Sequence, residues 1–146
     1  TFTVVWHLTP CLGIDRRVLG ESATTASLIT HTPAYSTPVK GSEDERCTLR
    51  MLNPLRTILP MEWYELIAEA DGVLESVAHA YGTYEHLSCI SGTLQVKAGD
   101  LIAVVHTGDT VRYRADQPHS IHNIGDGPAT AFLVVGLPSQ YNTPLV

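Results

Sequence analysis

Histidine, tyrosine and glutamate side chains that could bind a metal or a ligand lie in two short segments of the chain. Residues 79–85 contain His79, Tyr81 and Glu85, and residues 118–123 contain His119. Imidazole and carboxylate groups are the side chains that bind divalent transition metals in proteins. Strand segments that are far apart in sequence can bring such groups together inside a barrel. We therefore expect these residues to line the pocket of one small β-barrel.

Side-chain alternation predicts which of these residues share a face. Every second side chain of an extended strand points the same way. His79 and Tyr81 therefore share one face, and Glu85 continues it if no bulge intervenes. His119 and Asn123 share a face of the second segment. The pocket is thus expected to receive side chains from both segments.

Short apolar segments separated by turns predict an all-β protein. Turns recur about every ten residues, which is typical of a sandwich or barrel. The predicted strands are residues 47–52, 61–70, 73–78, 85–90, 93–96, 101–105, 110–114, 119–122 and 130–135, with further N-terminal strands at 1–6, 16–19 and 23–30. Residues 61–70 also contain good helix formers, but the turn that follows and the extended segments beyond it favour a strand.

Length and turn placement predict one core with two extensions. A chain of 146 residues is most simply one domain. Residues 1–45 form a predicted N-terminal extension of strands and loop that packs on the barrel or on a partner subunit. Residues 46–137 form the predicted barrel, and residues 138–146 a C-terminal tail. Within the extension, residues 32–45 are expected to be an exposed loop, because they contain prolines and an acidic run.

Composition excludes several partners. The formal net charge is −6, and Lys40 and Lys97 are the two lysines. The chain itself is therefore a poor candidate for binding the phosphate backbone of a nucleic acid. No apolar run approaches bilayer length, and no signal peptide is apparent, so contact with a membrane is not expected. The three cysteines form an odd count without paired spacing, which fits a reducing, cytoplasmic environment.

The first segment resembles the first motif of the cupin family. That motif is usually written G-x5-H-x-H-x3,4-E-x6-G. The corresponding residues here are Gly72, His79, Tyr81, Glu85 and Gly92. The sequence departs from the motif by one extra residue before His79 and by a tyrosine, Tyr81, where the second histidine normally stands.

The second segment resembles the second cupin motif, G-x5-P-x-G-x2-H-x3-N. Gly108, His119 and Asn123 occupy the corresponding positions with complete spacing, while Arg114 and Asp116 replace the proline and the glycine. Two motifs in the right order, with a spacer rich in hairpins, form a more specific signal than either alone. The resemblance implies a cupin fold, a double-stranded β-helix or jelly-roll barrel, with additional N-terminal strands.

The resemblance also implies a pocket, for which two alternatives are open. In one, His79, Glu85 and His119 hold a divalent transition metal, for which zinc, iron, manganese and nickel all suit two imidazoles and a carboxylate. In the other, the pocket is free of metal, and Tyr81, His79, Glu85 and His119 bind an organic ligand directly. Tyrosine is a weak metal ligand unless ionised, and its free pKa is about 10.

A narrower resemblance concerns the kind of protein. Residues 75–92 and 108–123 are similar to the C-terminal cupin domain of helix-turn-helix (XRE-type) bacterial transcription regulators. This resemblance implies a domain that binds a small-molecule effector without catalysis and forms a homodimer. It would meet DNA only through a helix-turn-helix segment that precedes Thr1 and is absent from this chain. The alternative is a metal-dependent cupin enzyme of the oxygenase or isomerase class, with Tyr81 or a histidine as acid or base.

The remaining polar residues are expected to have structural roles. His86 and His122 fall out of phase with the candidate ligands and are predicted to face solvent or the other side of a sheet. Asn123 is predicted to fix the turn after its strand, and Cys89 to pack in the core. Arg112 and Arg114 are expected to be exposed or to bridge to a neighbouring subunit. His106 is expected at the surface, and Asp109 in a hairpin turn where it satisfies backbone amides.

Overall fold

Ten β-strands and one short 3-10 helix make up the described part of the chain, residues 29–54 and 60–137 of a computed structural model. The 3-10 helix is Ala34–Ser36. The strands are β1 Val39–Gly41, β2 Cys47–Met51, β3 Met61–Ala68, β4 Val73–Ser76, β5 Tyr84–Ser91, β6 Thr93–Ala98, β7 Leu101–His106, β8 Thr110–Arg114, β9 His119–Asn123 and β10 Ala129–Gly136.

The strands form two antiparallel sheets. The larger sheet has the order β1-β2-β3-β10-β5-β8, and the smaller has the order β4-β9-β6-β7. The chain crosses repeatedly from one sheet to the other, so that the last strand, β10, lies between β3 and β5. The smaller sheet's edge strand β7 approaches β5 and β8 of the larger sheet. This is the jelly-roll arrangement that the sequence predicted.

Alternating apolar side chains fill the space between the sheets. Leu66 of β3 and Leu87 of β5 are fully buried from one side, and Leu94 of β6 and Ile121 of β9 are buried from the other. Burying an aliphatic side chain of this size stabilises the fold by about 1.5–3 kcal/mol. The inner faces of both sheets are therefore held together by these contacts, and the position of every inward side chain is fixed by the strand period.

Asn123 closes the loop after β9. Its amide nitrogen lies 2.9 Å from the carbonyl oxygen of Ala68, 3.1 Å from that of Glu69 and 2.8 Å from that of Gly127. Its amide oxygen accepts a hydrogen bond of 3.0 Å from the backbone of Gly125. Asn123 is completely buried and has partners on both sides of its amide. The structural role predicted for it is confirmed.

Most strand predictions are confirmed. All nine strands predicted between residues 47 and 135 are present, with ends that differ by one or two residues. Segment 61–70 is a strand because β2 and β10 pair with it on both sides, which outweighs its helix-forming residues. The predicted N-terminal strands before residue 29 and the tail at 138–146 lie outside the described residues, and the division at residue 45 stays a prediction.

Two local expectations were wrong. The predicted loop 32–45 contains β1, whose Lys40 pairs with Leu49 of β2. The predicted strand alternation through residues 79–83 is broken by a turn, in which the backbone of Thr83 donates to Ala80 at 3.1 Å. Gly82 makes this turn possible, because its φ of +86° lies in the left-handed region that favours glycine. No helix in the described residues is long and apolar enough to span a bilayer.

Candidate functional site

Three predicted residues converge at one end of the space between the sheets. One ligand atom from each of His79, Glu85 and His119 lies within 4.8 Å of the others. Nε2 of His79 is 3.1 Å from Oε1 of Glu85, and Nε2 of His119 is 3.3 Å from the same oxygen. The two rings meet edge to face, with centroids 4.9 Å apart. The convergence of these three side chains thus agrees with the prediction.

Different elements deliver the three side chains. Glu85 is the second residue of β5 and lies opposite Tyr113 of β8. His119 begins β9, and its side chain points to the interior with the apolar residues that follow at alternate positions. His79 belongs to the segment between β4 and β5, and its backbone is fixed by a 2.8 Å hydrogen bond to the carbonyl of Ala115. The site therefore depends on strands of both sheets.

Glu85 is held as a carboxylate. It is 3% exposed, and its second oxygen, Oε2, accepts a 2.5 Å hydrogen bond from the hydroxyl of Tyr113. Burial by itself would raise the pKa of Glu85, but interactions with His119, His79 and Tyr113 outweigh it and lower this pKa to about 2. Tyr113 thus occupies Oε2 and leaves Oε1 directed at the two imidazoles.

The ring of His119 is fixed by its outer nitrogen. Nδ1 lies 2.8 Å from the backbone oxygen of Gln117. Because a carbonyl oxygen can only accept, Nδ1 carries a proton, and in the neutral ring Nε2 keeps its lone pair. Burial would lower the pKa of His119, but Glu85 and the Gln117 carbonyl raise it above its ordinary value.

Nε2 of His119 is a buried atom without a hydrogen-bond partner among the described residues. It faces Oε1 of Glu85 at 3.3 Å, so in the neutral ring two lone pairs approach each other. A cation, either a proton or a metal ion, relieves that repulsion. Two imidazoles and one carboxylate with converging lone pairs are a donor set that suits transition metals and leaves further coordination positions open. The residues present therefore fit a metal ion.

Tyr81 lies apart from these three side chains. It is 86% exposed, and the guanidinium of Arg114 lies 5.8 Å from its ring centroid. The turn at Gly82 interrupts the strand and turns Tyr81 away from the face of Glu85. Asp116 anchors this turn by accepting a 3.0 Å hydrogen bond from the backbone of Gly82. A ligand-binding role for Tyr81 stays a prediction.

The end of the space between the sheets where His79, Glu85 and His119 meet is called the polar end below. Four further residues of this end were not singled out as site residues from the sequence. Glu62 and Tyr64 come from β3, Tyr113 from β8, and Thr83 directly precedes β5. Glu62 lies opposite Val135 of β10, which in turn lies opposite Glu85. Glu62, Glu85 and Tyr113 therefore belong to one row across the sheet. Strand alternation gives the face of each, but only the strand order shows that they are neighbours.

The structural predictions for the other polar residues agree with the structure. His86 and His122 alternate with buried neighbours and are partly exposed, and His106 is exposed. Arg112 and Arg114 are exposed as well, so Tyr113 between them points inward. Further residues also behave as expected: Cys89 is buried, and Asp109 accepts a 2.9 Å hydrogen bond from the backbone of His106.

Comparison with known families gives one match. Residues 64–136 match the family Cupin_2, described as a cupin domain. The matched region runs from β3 to the end of β10 and includes all three converging residues. No curated protein matches the chain.

Comparison with solved structures finds the same fold in proteins of different kinds. The cupin domain of an XRE family transcriptional regulator from Enterobacter cloacae has a TM-score of 0.60 and 24% identity, over 64% of this chain and 99% of that one. An HTH_3 family transcriptional regulator from Vibrio cholerae has a TM-score of 0.60 and 22% identity, over 66% of this chain and 54% of that one. The Fe(II) form of HppE has a TM-score of 0.63 and 17% identity, over 77% of this chain and 62% of that one.

Proposed function

Because this chain belongs to the Cupin_2 family of cupin domains, we propose that it is the effector-binding domain of a bacterial transcription regulator. A small molecule binds at the polar end of the barrel, next to a transition metal held by His79, Glu85 and His119. The DNA-binding part of the regulator is not in this chain. The domain works in the cytoplasm as a homodimer, because repressors pair across two-fold symmetric sites.

The observation that carries this proposal is the unsatisfied donor set. Nε2 of His119 has no hydrogen-bond partner in the described part of the chain, while Nδ1 of the same ring and Oε2 of Glu85 are both engaged. The outer atoms of His119 and Glu85 are thus engaged, while Nε2 of His119 and Nε2 of His79 both approach Oε1 of Glu85, at 3.3 and 3.1 Å. Such outer partners orient metal ligands, and three protein ligands leave positions for a bound molecule.

The kinds of protein that share the fold support the regulator. Two of the similar structures carry the names of transcriptional regulators, from Enterobacter cloacae and Vibrio cholerae. This chain covers 54% of the regulator from Vibrio cholerae, so that protein has a further part beyond the cupin domain. Reading the gene upstream of Thr1 tests the proposal directly. An open frame for a helix-turn-helix segment supports it, and a start codon at Thr1 without such a segment contradicts it.

Elemental analysis tests the metal site. The domain is purified without chelator, and bound transition metal is counted per chain. We expect close to one metal ion per chain in the wild type and almost none in His119→Ala. The matched control is His122→Ala, which removes a partly exposed histidine of the same strand and should keep the wild-type metal content. A folded wild type with only trace metal would contradict the metal site.

A second candidate function is metal-dependent catalysis. Two histidines and one carboxylate are the types of residue that hold the iron in one class of non-haem Fe(II) oxygenases, and the Fe(II) form of HppE shares the fold. The two functions differ in turnover. An effector domain loaded with Fe(II) binds its ligand with fixed stoichiometry and leaves it unchanged, whereas an enzyme converts many equivalents of ligand in the presence of oxygen. Product analysis by mass spectrometry after such an incubation distinguishes them.

A further inference from the structure

The polar end of the barrel contains a second carboxylate, Glu62. It lies in the same row as Glu85, with Val135 of β10 between them. Neighbouring strands are about 4.8 Å apart, so the backbones of Glu62 and Glu85 are roughly 10 Å apart. Because residues of one row point to the same face, both side chains project toward the space between the sheets.

A hydrogen bond from the core holds Glu62 in this direction. The hydroxyl of Tyr64, which is 5% exposed, donates to Oε2 of Glu62 at 2.7 Å. Oε1 of Glu62 forms no hydrogen bond with the described residues, although the residue is only partly exposed. Burial raises the pKa of Glu62, and Tyr64 and His79 offset this in part. A partly buried carboxylate with one free oxygen is a strong acceptor without a donor.

A hydroxyl without a hydrogen-bond partner, that of Thr83, lies on the same face of the larger sheet. Oγ1 of Thr83 is buried and has no hydrogen-bond partner in the described part of the chain. The backbone of Ala115 donates to Thr83 at 3.0 Å, which extends the β5–β8 ladder by one step beyond the pair of Tyr84 with Arg114, and thus by two steps beyond the pair of Glu85 with Tyr113. Thr83 therefore points to the same side as Glu85, two residues away. Buried polar groups in proteins nearly always have partners, ordered water included, so this hydroxyl is available to a bound water or to a ligand.

The arginines near this end do not neutralise Glu62, and His79 is the basic residue that acts on it. Arg112 and Arg114 of β8 are exposed on the opposite face, where Arg112 stacks on Tyr84 at 3.9 Å and Arg114 binds Asp116. The charged acceptors of the pocket are thus Glu62 and Glu85, and a divalent ion at the metal site would balance the two. A ligand with a further negative charge would be repelled by Glu62.

We propose that Glu62 forms a recognition subsite for a ligand group that donates hydrogen bonds, an ammonium or a hydroxyl, and excludes an anionic group, while Thr83 offers the same ligand a second contact on the other side of Glu85. This inference rests on the proposed function, since the other end of the ligand would occupy the open positions at the metal. It defines the effector as a small molecule with a metal-binding head and a donor tail, and not as a dianion.

The test uses four small molecules that share a carboxylate head and differ at the other end. They are β-alanine with an ammonium, 3-hydroxypropionate with a hydroxyl, malonate with a second carboxylate, and propionate with none. Binding to the metal-loaded domain is measured by calorimetry. We expect at least one of the two donor ligands to bind about tenfold or more tightly than propionate, since a hydrogen bond to a charged group contributes about 1.5–3 kcal/mol. Malonate should bind more weakly than propionate.

Substitutions assign the preference to Glu62. Glu62→Gln should lower the affinity for the preferred donor ligand about tenfold and leave metal content unchanged. The matched control is Glu75→Gln, which changes an exposed glutamate of β4. This variant should keep the wild-type ligand affinity and metal content. Tyr64→Phe frees the Glu62 side chain and should weaken the preference without abolishing it. Equal binding of all four ligands, tighter binding of malonate, or an unchanged preference in Glu62→Gln would overturn the subsite.

Metal content separates failure of this inference from failure of the proposed function. A wild type that binds metal but discriminates against the donor ligands overturns only the subsite. A wild type that binds neither metal nor any of the four ligands overturns the subsite together with the metal-assisted pocket on which it rests.

Discussion

Asn123 and His119 are two buried polar side chains of the same strand, and they differ in how completely they are hydrogen-bonded. Asn123 is 0% exposed, and both ends of its amide have partners. His119 is 5% exposed; its Nδ1 has a hydrogen-bond partner, whereas its Nε2 forms no hydrogen bond with the described residues and faces Oε1 of Glu85 at 3.3 Å. Both residues lie on the inner face of β9, four positions apart. Satisfied buried polar groups stabilise the fold, and under the proposed function the unsatisfied nitrogen of His119 is the one that contacts a ligand.

His119→Ala should have the largest effect on metal binding, and this effect should exceed the stability lost from the cavity and from the partner that the buried Glu85 loses. It removes one of three converging ligand atoms, so metal affinity should fall by more than the roughly 10- to 100-fold loss typical of an outer partner. The bond from Nδ1 to Gln117 is also lost, at about 1 kcal/mol. Competition with a chromogenic chelator measures the affinity, and urea unfolding of the metal-free protein measures the stability. If His119→Ala lost more free energy of unfolding than free energy of metal binding, the contrast between His119 and Asn123 would be contradicted.

Asn123→Ala should lower the stability of the fold and leave metal binding unchanged. Three carbonyl oxygens, those of Ala68, Glu69 and Gly127, lose a donor in the interior. Because buried groups left without partners are costly, the free energy of unfolding should fall by about 2–4 kcal/mol. Metal bound per folded chain should stay at the wild-type value. His122→Ala, on the opposite face of the strand, should change the stability by less than about 0.5 kcal/mol.

Tyr113→Phe sharpens the comparison within the site itself. The hydroxyl that donates to Oε2 of Glu85 is removed, while the ring that packs at 5.8 Å from His119 is kept. Glu85 is then free to rotate, and metal affinity should fall about 10- to 100-fold. The same chelator competition measures this loss. An unchanged affinity would show that the packing around Glu85, and not Tyr113, sets the direction of Oε1.

The second motif was predictable because it lies in a regular strand. Its spacing is complete, and β9 alternates between buried and partly exposed residues, so His119 and Asn123 face inward as expected. The first motif was predictable only in part. The turn at Gly82 breaks the alternation on which the placement of Tyr81 depended. His79 nevertheless reaches Glu85, because a backbone hydrogen bond to Ala115 fixes it beside β8.

Glu62 could not be assigned to the site from the sequence. Its inward direction follows from its phase with Tyr64 and Leu66, which are buried. Its position beside Glu85 depends on β10, the last strand of the barrel, inserting between β3 and β5. Alternation predicts the face of a side chain from its immediate neighbours. Strand order is a property of the whole chain, and no local pattern around residue 62 contains it.

The smallest expected effect concerns Asp116, which links the two motifs. It accepts hydrogen bonds from the side chain of Arg114, at 3.0 and 2.6 Å, and from the backbone of Gly82. The hydrogen bonds from Arg114 and Gly82 lower the pKa of Asp116 from its usual 3.8 to about 2. A lowered folded-state pKa means that the carboxylate stabilises the fold above pH 3.8, and that this contribution disappears as the pH falls toward 2.

Asp116→Asn should therefore unfold at a slightly lower temperature than the wild type at pH 7. The gap should narrow as the pH is lowered from 4 toward 2. The comparison of the two proteins at each pH removes the effect of other carboxylates, provided that they act independently of Asp116. A gap that stays constant down to pH 2 would show that Gly82 needs only a neutral acceptor. In that case the partly exposed Arg114 contributes nothing measurable, and the turn below His79 is held by a hydrogen bond without help from charge.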